Sequence, residues 1–341
     1  MQQESDEIRI SFIIPAYNAE NTIERAITSV GKSDIIEIIV VENGSSDGTT
    51  DTVQKLVSAD FRIRLFHSDK GVSNARNLGL ENAKGYWISF LDADDYLDDQ
   101  ATETMLDLSG NEEADLYLFG HYAGRTEKRL SDKILRYSSS EGMTEGVIKI
   151  LENPTRYMQV WAKLFKASII KEHGLSFNPA LSLAEDSDFT LRYALHAESM
   201  VITDKLLYHY SLNPYSVMRN NADDKISAYE HAMVVSRDAV VESSSKIQYA
   251  YNKYCLMHFN IAMVRSVFVQ ENQQTLQQKV RAMKNIAEKP VFRKALKEIH
   301  LKDCRSFRML PILMIKLRLW IAAAGIYMVR TAMNHRNEMM A

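Results

Sequence analysis

The first 96 residues alternate between short apolar runs and amphipathic stretches, and this alternation restricts the fold more than any other feature of the chain. Apolar runs of strand length occupy residues 10–14, 35–41, 63–66 and 86–91. Stretches with apolar residues at helical spacing lie between them, at residues 23–30, 50–58 and 73–83, with Asn21 as the expected cap of the first. Such alternation builds a parallel sheet with right-handed crossovers. We therefore predict an α/β fold with a Rossmann-like, mostly parallel sheet flanked by helices.

Three polar motifs follow the predicted strands at their carboxyl ends. They read Pro15-Ala16-Tyr17-Asn18, Glu42-Asn43-Gly44-Ser45 and Asp92-Ala93-Asp94. In open parallel sheets, ligands bind in the crevice outside the carboxyl ends of the strands. Together the motifs predict a binding site along one edge of the sheet.

Asp92 and Asp94 place two carboxylates one residue apart at the end of the fourth predicted strand. Hard cations such as Mg²⁺ and Mn²⁺ take oxygen ligands, commonly one or two carboxylates together with substrate phosphates. An Asp-rich turn is the other interpretation, because Asp favours turns and helix starts. The neighbouring motifs favour the metal, whereas Asp95 is expected to support the turn or to cap the next helix.

Composition and charge narrow the class of protein. With 46% hydrophobic and 25% charged residues, the chain resembles ordinary globular proteins, and its net charge of -3 does not support broad nucleic-acid binding. The two cysteines, Cys255 and Cys304, are too few for a disulfide framework and indicate a reducing compartment. Residues 1–7 lack the basic and apolar regions of a signal peptide, which favours a cytoplasmic location. No apolar run reaches the roughly 18 residues of a membrane-spanning helix.

Strand patterns stop near residue 220. Up to that point we predict one α/β domain, residues 1–220, with further strands near residues 115–120 and 201–202. The remaining residues, 221–341, are predicted to form a helical C-terminal region.

An ordered series of motifs identifies a family. The series is Ile13-Ile14-Pro15-Ala16-Tyr17-Asn18, Val40-Val41-Glu42-Asn43-Gly44-Ser45-Ser46-Asp47-Gly48-Thr49, Gly71-Val72-Ser73-Asn74-Ala75-Arg76-Asn77, Phe90-Leu91-Asp92-Ala93-Asp94-Asp95, Trp161-Ala162-Lys163-Leu164-Phe165 and Glu185-Asp186. Over residues 8–220 the chain resembles a family-2 inverting glycosyltransferase of the A-type fold, of the bacterial polysaccharide-biosynthesis kind. The resemblance implies a nucleotide-binding half at residues 8–98 and an acceptor half at residues 99–220.

The resemblance also implies which residues bind the nucleotide-sugar. These are Pro15, Ala16, Tyr17, Asn18, Glu42, Asn43, Arg76, Asp92 and Ala93. In the family an acidic residue at this position contacts the nucleotide base, usually uracil. Many relatives carry two acidic residues where this chain has Glu42 and Asn43, so the amide of Asn43 makes the identity of the base less certain to follow the family. Asp47 is open to interpretation as a cap of the following helix. Arg76 suits a phosphate or a fixed carboxylate such as Asp92 or Asp94, with a solvent-facing helix residue as the alternative.

Metal and catalytic roles follow from the same resemblance. Asp94 would bind Mn²⁺ or Mg²⁺ directly, and Asp92 would contact the ribose or the metal through water. Asp186 would be the catalytic base with Glu185 orienting the acceptor, although acidic residues at a helix start also serve as N-caps. His209 is a candidate ligand of the metal or the diphosphate, and a structural role beside Tyr208 and Tyr210 is the alternative.

Two further side chains belong to the acceptor half by resemblance. Trp161 and Lys163 are expected to line the acceptor or donor-sugar side of the site. Simple packing of the indole is the alternative for Trp161.

The tail between residues 305 and 336 mixes apolar and basic side chains. A basic amphipathic helix lying on an anionic membrane surface fits this composition, and it would bring the chain to a lipid-linked acceptor. A helix packed on the rest of the protein, or a dimer contact, fits equally well.

The sequence thus predicts an inverting, metal-dependent hexosyltransferase. Its donor would be a nucleotide-sugar, with UDP favoured, and its acceptor a saccharide or lipid-linked saccharide of a surface polysaccharide. The alternatives are an inactive carbohydrate-binding or scaffold relative and a nucleotidyltransferase. Nucleotidyltransferases usually carry a Gly-rich, basic loop after the first strand, which Pro15-Ala16-Tyr17-Asn18 is not.

Overall fold

The structure, a computed structural model, describes residues 7–110, 114–211, 222–269 and 272–340. The side chains of residues 222–224 and 335–340 are not part of this description. The predicted domain boundary at residues 220–221 and the polar residues 1–6 lie outside the described ranges.

Strands and helices alternate through the first quarter of the chain, as predicted. The elements are β1 (Ile10–Ala16), α1 (Ile23–Ser29), β2 (Ile36–Glu42), α2 (Thr49–Ala59), β3 (Ile63–His67), α3 (Val72–Asn82) and β4 (Trp87–Phe90). Helix α1 follows Thr22 with no side-chain cap, so the expected cap at Asn21 is wrong.

The middle of the chain adds strands and helices in a less regular order. They are β5 (Tyr96–Leu97), α4 (Ala101–Gly110), β6 (Leu116–Ala123), β7 (Thr126–Lys128), β8 (Leu135–Ser138), α5 (Ser139–Glu152), α6 (Pro154–Tyr157), β9 (Lys163–Lys166), α7 (Ala167–Glu172), α8 (Glu185–His196) and β10 (Ser199–Tyr210). The strands predicted near residues 115–120 and 201–202 are present, and the second is far longer than its apolar core suggested.

The ten strands found in the described ranges join one sheet in the order β3-β2-β1-β4-β9-β6-β10-β5, with β7 on β6 and β8 on β10. The pairs among β1, β2, β3 and β4 are parallel. Strand β9 pairs antiparallel with both β4 and β6, whereas β6 and β10 are parallel. The predicted α/β class is confirmed, and the sheet is parallel in its first half and mixed beyond it.

The centre of the sheet is covered on both faces. Every residue of β1 and of β2 is buried, which is typical of parallel strands between two helical layers. Their carboxyl ends, at Ala16 and Glu42, are register partners, so the loops that follow them begin side by side.

The C-terminal region is helical, as predicted. It contains α9 (Ala222–Asp238), α10 (Ser245–Ala262), a π-helical segment (Met263–Val267), α11 (Leu276–Ala287), α12 (Pro290–Glu298), two 3₁₀ turns (Leu301–Cys304 and Phe307–Met309), α13 (Leu310–Lys316) and α14 (Trp320–Met340). None of the described helices is both long and apolar enough to cross a membrane.

The chain divides into two compact units. Unit 1 comprises Met1–Gly146, Thr155–Ala180 and Glu185–Pro214 and contains the sheet. Unit 2 comprises Val147–Pro154, Leu181–Ala184 and Tyr215–Ala341 and contains the C-terminal helices. Two short segments from the middle of the chain therefore belong to unit 2, which the composition of the chain did not indicate.

Candidate active site

The loops after β1 and β2 are tied together at the carboxyl edge of the sheet. The backbone N–H of Asn18 donates to Ser45 Oγ at 3.0 Å, and the Ser46 N–H donates to Asn18 Oδ1 at 2.8 Å. Asn18 has a φ of 48°, a left-handed conformation that Asn tolerates better than most residues. Tyr17 stands beside this junction, partly exposed, with the Lys70 ammonium 2.9 Å from its hydroxyl. The edge thus presents an aromatic ring next to fixed backbone.

Glu42 and Asn43 are buried at the end of β2. Burial would raise the pKa of Glu42, but hydrogen bonds from Ser45 and His67 hold it below its usual value. Asn43 Oδ1 is buried and has no hydrogen-bond partner in the described structure. An unpaired buried acceptor is costly, so this oxygen is suited to a donor group on a ligand.

The three aspartates after β4 differ in their surroundings. Asp92 and Asp94 are partly exposed at the sheet edge, while Asp95 is 1% exposed. Asp95 accepts from the Tyr208 hydroxyl at 2.6 Å and from the Ser211 N–H at 2.7 Å, and burial raises its pKa to about 8. Asp95 therefore fixes the turn against the end of β10, and the other two carboxylates stay at the edge.

Arg76, on α3, joins three carboxylates from distant parts of the chain. Its Nη1 lies 2.6 Å from Asp186 Oδ1 and 3.2 Å from Glu185 Oε1, and its Nη2 lies 3.2 Å from Asp92 Oδ1. Burial would lower the pKa of this guanidinium, but the carboxylate charges hold it above its usual value. Its Nε is buried without a partner in the described structure. Arg76 therefore bridges the aspartate motif and the later acidic pair.

Close packing of α3 on β1 holds Arg76 in this place. Gly79 lies one helical turn beyond Arg76, and a Cβ at this position would overlap the side chain of Ile13. Gly71 precedes the helix with a φ of 130°, which L-residues rarely adopt. Two glycines thus fix where the helix begins and how near it lies to the sheet.

Glu185 and Asp186 occupy the first turn of α8, where the helix dipole favours negative charge. Burial and the adjacent Glu185 carboxylate raise the pKa of Asp186 to about 7, against the opposing charge of Arg76. A carboxylate with such a pKa is well matched to proton transfer near neutral pH. The Asp186 carboxyl can therefore exchange a proton near neutral pH.

Tyr208 was not singled out by sequence reasoning, although it connects two parts of the site. Its hydroxyl donates to Asp95 and accepts from the Asp92 backbone N–H at 3.2 Å. Its ring stacks on Trp161 at 4.6 Å between centroids, and Trp161 also stacks on Tyr210. The aromatic run at residues 208–210 was the available signal. The stack forms a partly exposed surface beside Asp92.

Lys163 lies on β9, close enough to Asp186 for the charges of the two side chains to interact. The side chain is 0% exposed, and its Nζ has no hydrogen-bond partner within the described ranges. Burial lowers the pKa of Lys163 to about 7, against the attraction of Asp186. It is therefore a buried amine close to Asp186, and its expected place on the acceptor or donor-sugar side stays a prediction.

His209 lies in another group of side chains. Its Nε2 is 3.3 Å from Asp98 Oδ2, and its ring stacks between Tyr96 and Tyr122 with centroids 4.4 and 4.6 Å away. The link to the aspartate motif runs through Arg25, which stacks on Tyr96 and donates to the Asp94 carbonyl at 2.6 Å.

The residues at the edge fit a divalent cation. Asp92 and Asp94 offer carboxylate oxygens, the ligands that Mg²⁺ and Mn²⁺ prefer. No cluster of three or more His, Cys, Asp or Glu side chains able to hold a metal occurs in the part of the chain that the structure describes. Two carboxylates suit these cations when substrate phosphates supply further ligands.

Residues 11–174 match a protein-family model described as "Glycosyl transferase family 2". Among curated proteins, EpsH of Bacillus subtilis (strain 168) is 27% identical over 321 residues, covering 91% of this chain and 92% of EpsH. The poly(ribitol-phosphate) beta-N-acetylglucosaminyltransferase TarS of Staphylococcus aureus (strain Mu50 / ATCC 700699) is 24% identical over 209 residues. That match covers 59% of this chain and 35% of TarS.

Solved structures share the fold. A crystal structure of residues 1–349 of S. aureus TarS with UDP-GlcNAc superposes with a TM-score of 0.68 at 18% identity, covering 96% of this chain and 92% of that one. The mannosyltransferase PcManGT of Pyrobaculum calidifontis, in complex with GDP-Man and Mn²⁺, gives a TM-score of 0.53 at 14% identity, covering 94% and 87%. The predicted A-type architecture is thereby confirmed.

Proposed function

We propose that this chain, whose residues 11–174 match the family model of glycosyl transferase family 2, transfers a sugar from a UDP-sugar with inversion at the anomeric carbon. The sugar would be a hexose or an N-acetylhexosamine, and the acceptor a saccharide or lipid-linked saccharide in surface polysaccharide synthesis. The UDP-GlcNAc complex of TarS, and the polymer named as the substrate of TarS, support this choice of donor and acceptor.

One observation carries the proposal: a single guanidinium bridges the carboxylate assigned to the leaving group and the carboxylate assigned to the acceptor. Arg76 contacts Asp92 through one terminal nitrogen and Asp186 through the other. Glycosyl transfer needs these two functions on opposite sides of one anomeric carbon. That both carboxylates contact one side chain supports the proposal.

The nucleotide would lie along the edge formed by the first two loops. We propose that Pro15, Ala16, Tyr17, Asn18, Glu42 and Asn43 surround the base, with the orphan amide oxygen of Asn43 accepting a ring N–H. Asp92 and Ala93 would contact the ribose. Arg76 would face the diphosphate, whose charge it is suited to bind.

Asp94, with Asp92 directly or through water, would hold Mn²⁺ or Mg²⁺. When bound, the cation would supply Lewis-acid stabilisation of the charge that develops on the departing diphosphate. Mn²⁺ in the PcManGT complex supports this cofactor. His209 stays a prediction as a further ligand.

Asp186 would act as the general base. As the acceptor oxygen forms its bond to the anomeric carbon, Asp186 Oδ takes the hydroxyl proton, and the bond to UDP breaks with both electrons leaving on the phosphate oxygen. A single displacement without a covalent sugar–enzyme intermediate inverts the configuration. Glu185 would orient the acceptor, and the raised pKa of Asp186, about 7, supports its role as a base.

Two substitutions test the assignment, with UDP-GlcNAc and Mn²⁺ as probes. Asp186→Asn should lower UDP release with water as the acceptor by about 10²- to 10⁴-fold while the donor still raises the melting temperature. Asp94→Asn should lose both the Mn²⁺-dependent turnover and most of that thermal shift.

Asp99→Asn serves as the control, because Asp99 is an exposed aspartate just beyond the motif. It should behave as the unchanged protein does. Full turnover by the Asp186 variant would exclude it as the base, and unchanged Mn²⁺-dependent turnover by the Asp94 variant would remove the metal assignment.

A further inference from the structure

Helix α14 packs on unit 2 through only one of its faces. Ala323, Ala324, Tyr327 and Thr331 are buried, and the Tyr327 hydroxyl donates to Asn260 Oδ1 at 2.6 Å. Their successive spacings of one, three and four residues follow one stripe of the helix. The helix is therefore anchored in the fold of its unit.

The opposite face is apolar and exposed to solvent. Its large side chains are Ile321, Met328, Val329 and Met333, with exposures of 72%, 50%, 59% and 53%. Only Ala322, Gly325 and Ala332 complete it, so no charged side chain interrupts this face between residues 321 and 333. We call these four large residues and the small ones between them the apolar face of α14. An apolar helix face this long, about 18 Å, is not expected to stay in water without a partner.

The sequence that contains this helix carries charges of one sign. From Cys304 to Asn337 the sequence contains no Asp or Glu. The same segment carries Arg305, Arg308, Lys316, Arg318, Arg330 and Arg336. Arg305 and Arg318 are exposed. Arg318 lies just before α14, between Leu317 and Leu319, which are 48% and 50% exposed.

We propose that the apolar face of α14 lies on the surface of a lipid bilayer that contains anionic headgroups. Apolar side chains would enter the headgroup–acyl boundary, and the surrounding arginines would contact the phosphates. A second copy of the chain fits less well. In a two-fold dimer through this face, the basic segment of one copy would lie against the same basic segment of the other copy, and their like charges would repel.

Vesicle co-sedimentation of the full chain tests this surface without requiring sugar transfer. The protein should bind vesicles of phosphatidylcholine and phosphatidylglycerol in equal parts, and bind phosphatidylcholine alone much less. The double variant Met328→Asp/Val329→Asp should bind the anionic vesicles at least about tenfold less, because two charges would have to enter the bilayer boundary. Arg318→Glu should weaken binding to the anionic vesicles only.

Two other exposed valines of unit 2 provide a matched control. Val234 and Val241 are 51% and 59% exposed, and these exposures match those of Met328 and Val329. Because neither valine belongs to the apolar face of α14, Val234→Asp/Val241→Asp should leave vesicle binding unchanged. Equal binding by the two double variants, or no binding by the unchanged protein, would overturn the proposal. So would a lipid-free dimer that only Met328→Asp/Val329→Asp dissociates. The thermal shift with UDP-GlcNAc should be the same in all variants, which separates this result from the proposed transfer.

Discussion

Arg76 shows how much one residue's role depends on its contacts. The sequence predicts a guanidinium paired with a phosphate or with Asp92 or Asp94, and the structure gives Asp92 as one partner. The contacts with Glu185 and Asp186 were not predicted, because they join positions 109 and 110 residues away along the chain. The same guanidinium therefore contacts both the carboxylate that we propose for the leaving group and the one that we propose as the base.

Asp186 leads to a prediction about pH. Its pKa of about 7 means that the carboxylate, the form that accepts a proton, predominates above pH 7. Transfer should therefore fall about tenfold for each pH unit below about 7 and level off above it. The rate of UDP release, measured between about pH 5.5 and pH 8 at saturating donor, checks this. A flat profile, with donor binding intact throughout, would contradict the assignment.

Lys163 makes a prediction about stability. A buried ammonium without a partner is costly, and an apolar residue of similar shape commonly stabilises such a site by about 1–4 kcal/mol. Lys163→Met should therefore raise the free energy of unfolding. The pKa of Lys163 in the folded state, about 7, lies below the usual lysine pKa of 10.5, so the cost is fully present below pH 7 and disappears as the pH rises towards 10.5. Urea denaturation at pH 7 and at pH 9 should show a smaller gain at pH 9.

Lys166→Met, on the same strand, is the control for Lys163→Met. Lys166 lies 3.3 Å from Asp115 and is partly exposed, so its replacement removes a favourable contact and should lower stability slightly. If both variants lose stability to the same extent, Lys163 has an unseen favourable partner.

At the scale of elements, the distance between α3 and β1 decides where Arg76 lies. Gly79 allows this distance, because any side chain there meets Ile13. Gly79→Ala should therefore lower the free energy of unfolding by about 1–3 kcal/mol and also reduce turnover, since α3 must move away from the sheet. Chemical denaturation and UDP release together measure the two effects.

Gly325→Ala is the control for Gly79→Ala, because it should raise the free energy of unfolding rather than lower it. Gly325 lies inside α14 with open space around the position of a Cβ, so alanine should stabilise the helix by about 0.5–1 kcal/mol. A loss of stability in both glycine variants would show that the contact with Ile13 is not the cause.

The elements of the second half were harder to predict than those of the first. Strand β10 runs from Ser199 to Tyr210, although only Val201 and Ile202 gave an apolar signal. Its remaining residues include charged and aromatic side chains, and its pairing with β6 shifts register twice. Neighbouring strands, rather than local periodicity, hold this part of the chain extended.

At the scale of the whole molecule, the two compact units are not two consecutive stretches of sequence. Segments Val147–Pro154 and Leu181–Ala184 belong to unit 2, while Glu185, which begins α8 in unit 1, follows directly after the second of them. A boundary drawn along the sequence cannot represent this arrangement. The tail was predicted to lie on a membrane, to pack on the protein or to form a dimer contact. Within unit 2, one face of α14 is buried and the opposite face is exposed.

The sequence by itself determined the alternation of the first four strands and three helices, the order of the motifs and their place at the carboxyl ends of strands. These features depend on local periodicity, which neighbouring residues encode directly. Only the tertiary structure decided that Arg76 joins Asp92 to Asp186, that Lys163 is buried with no hydrogen-bond partner among the described residues, and that Tyr208 links the aspartate turn to an aromatic stack. Those contacts, like the raised pKa of Asp186, depend on which distant segments pack together and on how much water they exclude. A single sequence contains no local pattern for either.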